Sequence, residues 1–283
     1  MLRSGSFRLQ ASGLRLQAAL LAGLVGSVLA LAPTGQPAYA KDGARARCPA
    51  EMALAGNACV DRWEAHLAKR NDDGSLSPFA PYERPTGSGL VAQSSAGTRP
   101  QAYISRTEAA SACENAGKRL CTVTEWYRAC RGPEDTLYPY GANYVAKRCN
   151  VGKPHLLSIL HGSDPHAWSY DAFNDPELDK KPGFLAETGE YSGCVTSAGI
   201  YDLVGNLHEW VSDRVEPSIA AKLPLTPGIK MRVQRNAGKG VFMGGFFSTT
   251  NQHGDGCAFV TMAHEPAYHD YSTGFRCCKD PNG

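Results

Sequence analysis

The sequence predicts a loop-rich domain of short helices and strands that is held together by disulfide bonds. Its 283 residues include 30 glycines and 18 prolines, which favour turns over long regular elements. It also contains ten cysteines, an even number that indicates paired thiols in an exported chain. With 42% hydrophobic residues, the chain is apolar and long enough for one large domain or two small ones, and a disordered chain is excluded.

The N-terminal stretch has the features of a secretory signal peptide. Residues 1–40 contain no acidic side chain and three arginines. An apolar run at 18–32 follows, which is short for a membrane span of about 20 residues. Ala38-Tyr39-Ala40 then supplies the small residues that a signal peptidase reads. We therefore predict that residues 1–40 are removed and that the protein is periplasmic or extracellular; the alternative is an uncleaved N-terminal anchor.

Beyond that segment the chain is nearly neutral. The whole chain carries a formal charge of +2, and loss of the three N-terminal arginines leaves −1. This balance excludes the basic surface that nucleic-acid binding requires. Because no other run of about 18 apolar residues exists, no membrane span is predicted in the mature chain. Residues 41–47 form a short lead-in.

The first part of the mature chain combines a hairpin with a polar stretch. Cys48 to Glu64 predicts a short hairpin that turns at Gly56-Asn57. Residues 66–100 are polar and rich in Pro, Gly and Ser, which predicts a long surface loop.

Two helices follow, and each has a start signal. Ser105-Arg-Thr-Glu108 and Thr122-Val-Thr-Glu125 are capping boxes. Apolar residues at helical spacing follow both boxes and include Cys113 and Cys130. A glycine closes each helix. Both cysteines are therefore predicted to face the core, where each can tie its helix to a distant segment.

The remaining segments carry weaker signals. Residues 133–198 contain turn residues and few periodic runs, which indicates a long irregular region. Residues 199–213 return to alternating apolar residues. Residues 214–239 have the composition of an exposed, proline-rich insertion, and 241–278 contain strand-like pieces.

Four motifs in a fixed order identify a family. They are GKRLCTVTEWYRACRG (117–132), GIYDLVGNLHEWVSD (199–213), Gly244-Gly245 and GFRC (274–277). Together they closely resemble the formylglycine-generating enzyme, or sulfatase-modifying factor, domain family. The resemblance covers residues 48–278 and implies a single α+β domain with a C-type-lectin-like fold and little regular secondary structure.

The resemblance also implies how the cysteines pair. In eukaryotic members the cysteine of the first helix pairs with that of the GFRC motif, and the cysteine of the second helix pairs with one after the Gly-Gly pair. Proximity in sequence adds a third pair, and the four cysteines left over have a pairing that stays open. The expected bridges are Cys113–Cys277, Cys130–Cys257 and Cys48–Cys59, with Cys149–Cys194 and Cys121–Cys278 left over.

The family binds calcium, and the matching stretch here is Asp202-Leu-Val-Gly205-Asn-Leu207-His-Glu209. The resemblance implies carboxylate oxygens from Asp202 and Glu209 and backbone carbonyls from Gly205 and Leu207. Spacing alone favours a turn whose acidic side chains accept hydrogen bonds from backbone amides. Calcium usually takes about 6–8 oxygen ligands, which is more than this stretch supplies. The resemblance reverses that preference.

A second calcium site of the family matches Asn150 and Val151. Its acidic partner is ambiguous in this sequence, and Asp171 is the best candidate. We therefore expect a structural calcium ion at the first stretch and a second ion at these residues.

The segment after the Gly-Gly pair departs from the family. In the namesake enzyme, two cysteines in this segment bind copper(I) and carry the oxidation of a substrate cysteine to formylglycine. Thiolates are ligands that suit copper(I). Here residues 246–256 contain no cysteine. Copper is therefore not expected, and the namesake reaction is predicted to be lost.

The C-terminal part contains histidines and carboxylates that would serve a different chemistry. Such side chains act as acid–base groups or hold another transition metal. Pyoverdine-maturation oxidases are a similar case, because they are exported, have the same domain type and lack the cysteine pair. The alternative is that these are ordinary loop residues. The catalytic candidates are His253, Asp255 and His264, in a cluster with Glu265, His269 and Asp270.

Four other motif residues are predicted to be structural. Trp126 and Trp210 have the spacing of core aromatics. His208 is expected to be a hydrogen-bonded structural histidine, with a position in the cleft as the alternative. Arg276 is expected to form a buried hydrogen-bonded pair.

Two classes of function follow from these observations. The first is an exported oxidase or maturation factor with divergent chemistry and without cysteine-to-formylglycine activity. The second is a non-catalytic module that binds a protein, peptide or glycan, since the fold itself does not choose between these roles. A cleft with perturbed histidines or carboxylates around 253–270 would favour an enzyme. A loop-rich face at 66–100 and 214–239 would favour binding.

Overall fold

A computed structural model of the chain describes residues 47–223, 227–250 and 255–282. The predicted signal peptide, nearly all of the lead-in and the candidate His253 lie outside the described residues. Within these ranges, no helix combines the length and the hydropathy that crossing a bilayer requires.

Short strands form three small sheets. Across the described residues, the strands are β1 Met52–Ala55, β2 Ala58–Asp61, β3 Ala65–Arg70, β4 Leu76–Pro78, β5 Leu90–Ser94, β6 Arg119–Leu120, β7 His208–Arg214, β8 Gly240–Met243, β9 Val260–Thr261, β10 Thr273–Phe275 and β11 Cys277–Lys279. One sheet has the order β1-β2-β11-β6, the second β10-β7-β8-β9 and the third β4-β3-β5. The N-terminal hairpin and the C-terminal strand therefore share a sheet.

Helices connect these sheets. They are α1 Arg106–Asn115, α2 Val123–Arg131, α3 Leu156–Leu160, α4 Tyr170–Phe173, α5 Glu177–Lys180 and α6 Pro227–Arg235. Both predicted capping boxes are confirmed, because Ser105 and Thr122 each accept from the backbone of the glutamate three residues later, whose side chain bonds back. Three of the helices lie in the segment 133–198 and are only four or five residues long, so that segment is largely irregular.

The prediction of a long surface loop at 66–100 is wrong. β3 pairs with β4 and β5 in this segment, and Leu67 and Val91 are buried. Ala65 and Leu67 on one face of β3 are buried, and Ala68 on the other face is buried as well, so the first part of this strand packs into the core. The polar residues of this segment lie mainly in the connections between the strands. Because they dominate its composition, the composition does not indicate the three short strands.

The segment 214–239 is also more closely packed than its composition indicates. A 3₁₀ turn at Pro217–Ala221 buries Ile219, and α6 buries Val233. Both side chains join the main hydrophobic cluster, which contains Trp126. The prediction of an exposed insertion therefore holds only for the polar faces of these two elements. Prolines interrupt strands, but they do not prevent nearby apolar side chains from packing into the core.

Two tryptophans occupy the core, as predicted. Trp126 on α2 and Trp210 on β7 are 0% and 1% exposed. The Trp210 indole donates to Ile104 O at 2.9 Å, which satisfies its polar atom. Gly240 lies against the same ring, where an added Cβ would come within 2.6 Å of Trp210 Cζ3. Only glycine leaves room for that ring between β7 and β8.

All ten cysteines lie in the described ranges, and all are paired. The bridges are Cys48–Cys59, Cys113–Cys277, Cys121–Cys278, Cys130–Cys257 and Cys149–Cys194. These are the pairs expected from the sequence, including the two that were left open. Three of them join residues 127, 157 and 164 positions apart, so both long helices are tied covalently to the C-terminal region.

Candidate functional site

The stretch 202–209 forms a tight turn in the buried centre of the domain. Asp202 and Asn206 both have a φ of 59°. Gly205 lies so close to a neighbouring segment that an added Cβ would come within 2.2 Å of Asn150 O. The turn leads directly into β7, where Glu209 is 1% exposed.

Glu209 forms a buried ion pair with Arg276. The Arg276 Nε donates to Glu209 Oε2 at 2.7 Å, and Nη2 donates to Oε1 at 2.6 Å. Trp126 Nε1 donates to the same Oε2 at 2.6 Å. The guanidinium also donates to the backbone oxygens of Asp61 and Tyr201. The predicted role of Arg276 is therefore confirmed, and both Glu209 oxygens are committed to N–H donors.

Two further carboxylates lie near this ion pair. Asp202 Oδ2 accepts a backbone N–H at 2.7 Å, and Glu64 Oε1 accepts from Leu207 N at 3.1 Å. Burial raises the pKa of Asp202 to about 7. Burial, together with the charges of Asp202 and Glu209, raises the pKa of Glu64 well above its usual range. The guanidinium of Arg276 is thus the nearby positive charge for three buried carboxyl groups, those of Glu64, Asp202 and Glu209.

The donor chemistry of this cluster fits a calcium ion only in part. The excess of carboxylate charge over guanidinium charge favours a cation, and oxygen is the ligand that calcium prefers. Both oxygens of Glu209, however, already accept hydrogen bonds from an indole and a guanidinium. No three His, Cys, Asp or Glu side chains of the described ranges are grouped so as to hold a metal ion. Calcium at 202–209 therefore stays a prediction from the resemblance.

The second predicted calcium stretch is tied together by hydrogen bonds. Asn150 Nδ2 donates to Phe184 O at 2.8 Å, and the Lys153 ammonium donates to the same oxygen at 2.9 Å. Asn150 Oδ1 is buried and accepts no hydrogen bond, which leaves one oxygen for a cation beside Val151. Asp171 is exposed in the first turn of α4. The proposed acidic partner is therefore solvated, whereas Asn150 is buried.

The raised pKa values predict that the protein loses stability as the pH rises. A carboxyl whose pKa is raised by folding binds its proton more tightly in the native state than in the unfolded state. For Asp202 this contribution is fully present below about pH 4 and is lost as the pH rises through the folded pKa of about 7. In chelator, urea unfolding should show a free energy of unfolding that falls over this window, by at most about 1.4 kcal/mol per pH unit and proton.

Asp202→Asn is expected to flatten this pH dependence, whereas Asp72→Asn, at an exposed position, should leave it unchanged. An unaltered slope in Asp202→Asn would contradict the assignment of the raised pKa. The same series repeated with calcium tests the ion site, because ligation favours the ionised carboxylate and reverses the slope. A calcium-dependent rise in Tm that Asp202→Asn abolishes would support that site, and no rise would remove it.

A cleft of about 450 Å³ opens beside β7 and β8. Aromatic and imidazole rings supply most of its lining. They are His155, Phe173, His208, Phe242, Phe246, Phe259, His264, Tyr268 and Tyr271. The residues 248–250, which follow the Gly-Gly pair, add three side-chain hydroxyls, and Asp270 adds a carboxylate. The cleft therefore combines flat apolar surfaces with a few polar groups, as ligand sites commonly do.

Two histidines of the cleft are packed against other rings. The His208 ring lies 4.5 Å from Phe242 and 5.3 Å from Phe259, centroid to centroid. His264 stacks on Tyr268 at 3.9 Å. His208 is only 6% exposed. His208 is therefore a buried residue that borders the cleft, which is the alternative position considered for it; its prediction as a hydrogen-bonded structural histidine stays a prediction.

Titratable groups line one wall of the cleft. Tyr268 Oη donates to Asp270 Oδ2 at 2.5 Å, and Ser272 donates twice to Oδ1. Burial raises the pKa of both Tyr268 and Asp270. Burial lowers the pKa of His155, whose Nε2 is hydrogen-bonded to Tyr271 Oη at 3.2 Å. The wall therefore offers a neutral imidazole and hydrogen-bonded hydroxyls for proton transfer.

A second cavity of about 430 Å³ adjoins the cleft. Thr249, Thr250 and Phe259 line both spaces, so the two form neighbouring parts of one aromatic groove. Tyr138 and Tyr144 line the second part. Thr249 and Thr250, which line both parts, belong to the segment that carries the copper ligands in the family.

The structure separates the predicted catalytic candidates. His264 lines the cleft, whereas Asp255 lines the adjoining cavity. His269 Nδ1 is hydrogen-bonded to Asn174 Oδ1 at 2.6 Å and does not line either space. Of the predicted cluster, one histidine and two carboxylates, Asp255 and Asp270, therefore line the groove, and His269 contacts the C-terminal end of α4 instead.

Sequence reasoning missed Glu64 and Tyr268. Glu64 follows the N-terminal hairpin and has no spacing that links it to the turn 142 residues later. Tyr268 stands in the run Tyr-His-Asp-Tyr at 268–271, and this alternation of rings and polar groups is a signal that would have indicated a cleft wall.

Comparison with known proteins places the chain among sulfatase-modifying factors. The model of the sulfatase-modifying factor enzyme 1-like domain matches residues 57–281. The formylglycine-generating enzyme of Mus musculus is 31% identical over 115 residues, covering 40% of this chain and 27% of the mouse protein. That of Thermomonospora curvata is 29% identical over 212 residues, covering 72% and 63% of the two chains.

An inactive relative and a solved structure are also similar. The inactive C-alpha-formylglycine-generating enzyme 2 of Mus musculus is 27% identical over 188 residues, covering 63% of this chain and 48% of that protein. PvdO from Pseudomonas aeruginosa has a TM-score of 0.46 and 14% identity, covering 79% and 80% of the two chains. The matched region spans less than two thirds of the length of each of the three sequence relatives.

Proposed function

Since this chain belongs to the sulfatase-modifying factor enzyme 1-like family, we propose that it is an exported maturation factor with divergent chemistry. It binds a segment of a partner protein in the aromatic groove and modifies that segment without the cysteine-to-formylglycine reaction. Five disulfides support export, because such bridges persist in oxidising compartments.

The observation that carries this proposal is the state of the cysteines. All ten are in disulfides, so no thiolate remains to bind copper(I) or to exchange with a substrate cysteine. Where the two parts of the groove meet, Thr249 and Thr250 supply hydroxyls. Hydroxyls neither prefer copper(I) nor form disulfides, so the residues present do not fit the copper chemistry of the namesake enzyme.

The shape and lining of the groove support recognition of a peptide segment. Its two parts have volumes of about 450 and 430 Å³ and share one wall, so an extended chain would place successive side chains in each part. Aromatic rings such as Phe246 and Phe259 bind side chains through large flat apolar surfaces. Tyr268, Asp270 and His155 would then supply hydrogen bonds and proton transfer to the bound segment.

The first test is whether the namesake reaction is absent. The purified chain, incubated with copper, oxygen, a reductant and a sulfatase-type cysteine peptide, is expected to give no aldehyde by mass spectrometry. The Thermomonospora curvata enzyme serves as the positive control in the same assay. Turnover by this chain would contradict the proposal, because it would require a reactive thiol that the disulfides exclude.

The second test asks for the modification itself. Exported proteins from cells with and without the gene are compared by peptide mass, and one peptide is expected to change mass only when the gene is present. Phe246→Ala should fail to restore this change, whereas Leu76→Ala, at an exposed position outside the groove, should restore it.

A binding module is the second candidate, and the dominance of rings in the groove lining favours it. It predicts a partner that crosslinks to a photoreactive residue at position 261 in the cleft but shows no change in mass. That result would overturn catalysis while retaining the groove as the binding site.

A further inference from the structure

A separate pocket of about 360 Å³ shares no lining residue with either part of the aromatic groove. Trp63 and Tyr201 line it with nearly parallel rings, whose planes differ by 14° and whose centroids are 6.2 Å apart. The turn 187–190, which carries Glu187 and Glu190, lines another part. We call this space the Trp63 pocket.

The backbones that carry the two rings are fixed by hydrogen bonds. Tyr201 N donates to Arg62 O at 2.7 Å. Trp63 N donates to Ser94 Oγ at 3.1 Å, and Ser94 Oγ donates to Trp63 O at 2.9 Å. Both rings are half-buried. The aromatic surface is therefore formed in advance of any ligand, which lowers the entropic cost of binding.

The acidic turn is fixed as well. Gly97 N donates to Thr188 O, and Thr188 N donates to Thr98 O, both at 2.9 Å. Glu187 N donates to Glu190 Oε2 at 3.1 Å. Both glutamates are exposed, so their carboxylates reach solvent beside the two rings while the backbone beneath them is held.

The charge of the Trp63 pocket is negative. Its lining contains two carboxylates and no lysine, arginine or histidine. Arg99 Nε lies 3.9 Å from Glu187 Oε1, an exposed contact of the kind that contributes little. The Lys153 ammonium is hydrogen-bonded to the backbone oxygens of residues 183 and 184. Neither base therefore occupies the space between the rings and the carboxylates.

We propose that the Trp63 pocket binds a lysine or arginine side chain of a partner peptide. A cation within about 6 Å of an aromatic face is attracted by the negative potential of the ring, and carboxylates add charge-assisted hydrogen bonds. Lysine and arginine heads carry only donors, which complements carboxylates that only accept. The volume suits one side chain and its alkyl stem, which would pack along the rings.

Binding is tested with the chain purified from the export compartment and labelled at its four tryptophan indoles. The probes are the acetylated and amidated tripeptides Gly-Lys-Gly, Gly-Arg-Gly and Gly-Gln-Gly. The lysine and arginine probes are expected to shift one indole N–H signal to saturation, and the glutamine probe is not. Trp63→Phe should remove that signal, and 0.5 M salt should weaken the binding.

The double variant Glu187→Gln, Glu190→Gln is expected to bind the cationic probes about tenfold more weakly. Glu177→Gln, which removes an exposed carboxylate on α5, should bind them as the parent does. Equal binding of cationic and glutamine probes would overturn the proposal. Saturation of the Trp63 signal by a chito-oligosaccharide but not by cationic probes would also overturn it, in favour of a glycan site.

Discussion

Replacing Arg276 with methionine is expected to lower the free energy of unfolding by about 3–5 kcal/mol. The guanidinium is 0% exposed and makes two charge-assisted hydrogen bonds to Glu209. Its loss leaves the buried carboxylates of Glu64, Asp202 and Glu209 without a positive partner. Breaking a buried pair by removing one member is costly for this reason, although the intact pair contributes little net stability. Urea unfolding followed by tryptophan fluorescence measures the loss.

Arg84→Met is the matched control for this prediction. Arg84 lies 3.5 Å from Glu108 with 52% of its side chain exposed, and its loss should cost less than about 1 kcal/mol. Adding Glu209→Gln to Arg276→Met removes one unpaired charge and should recover part of the stability. An Arg276→Met protein as stable as Arg84→Met would show that the buried cluster is neutralised by another route.

Removing the Cys149–Cys194 bridge with alanine at both positions is expected to cost about 4 kcal/mol in the chain-entropy model of disulfides. The bridge joins residues 45 positions apart, and none of the other four bridges provides a shorter covalent path between them. Removing Cys48–Cys59, which are 11 positions apart, should cost only about 3 kcal/mol by the same model. Thermal and urea unfolding of the two double variants measure the difference.

The order of these two losses is the informative result. If the variant without Cys48–Cys59 proves the less stable, native packing around the short bridge outweighs loop length, and the entropic account fails for this fold. Non-reducing peptide mapping of each variant provides the control, because the other four bridges must remain paired for the comparison to hold.

The parts of the fold that the sequence predicted best are those with local signals. The capping boxes at Ser105 and Thr122 place both long helices, because a cap and its partner lie three residues apart. The three-stranded sheet at 65–94 was missed, because its strands are short and its composition is dominated by the connections. Side chains such as Leu67 are recognised as core only once the partner strands are known.

The candidate site depended on contacts between distant residues, and these were harder to predict. The absence of a thiolate pair follows directly from the sequence, because residues 246–256 contain no cysteine. Glu64, in contrast, reaches the turn at Asn206 only through folding, and no spacing rule connects them. The exposed position of Asp171 could not be predicted either, because the helices between 156 and 180 are too short to show periodicity.

The adjacent cysteines of β11 set an order of events during synthesis. Neighbouring strand residues point to opposite faces, so Cys277 and Cys278 fasten the last strand to α1 on one side and to Cys121 on the other. Neither clamp can close until residue 277 has left the ribosome, whereas the Cys48–Cys59 and Cys149–Cys194 bridges need only local stretches. The Cys113–Cys277 and Cys121–Cys278 bridges can therefore form only after β11 has been synthesised.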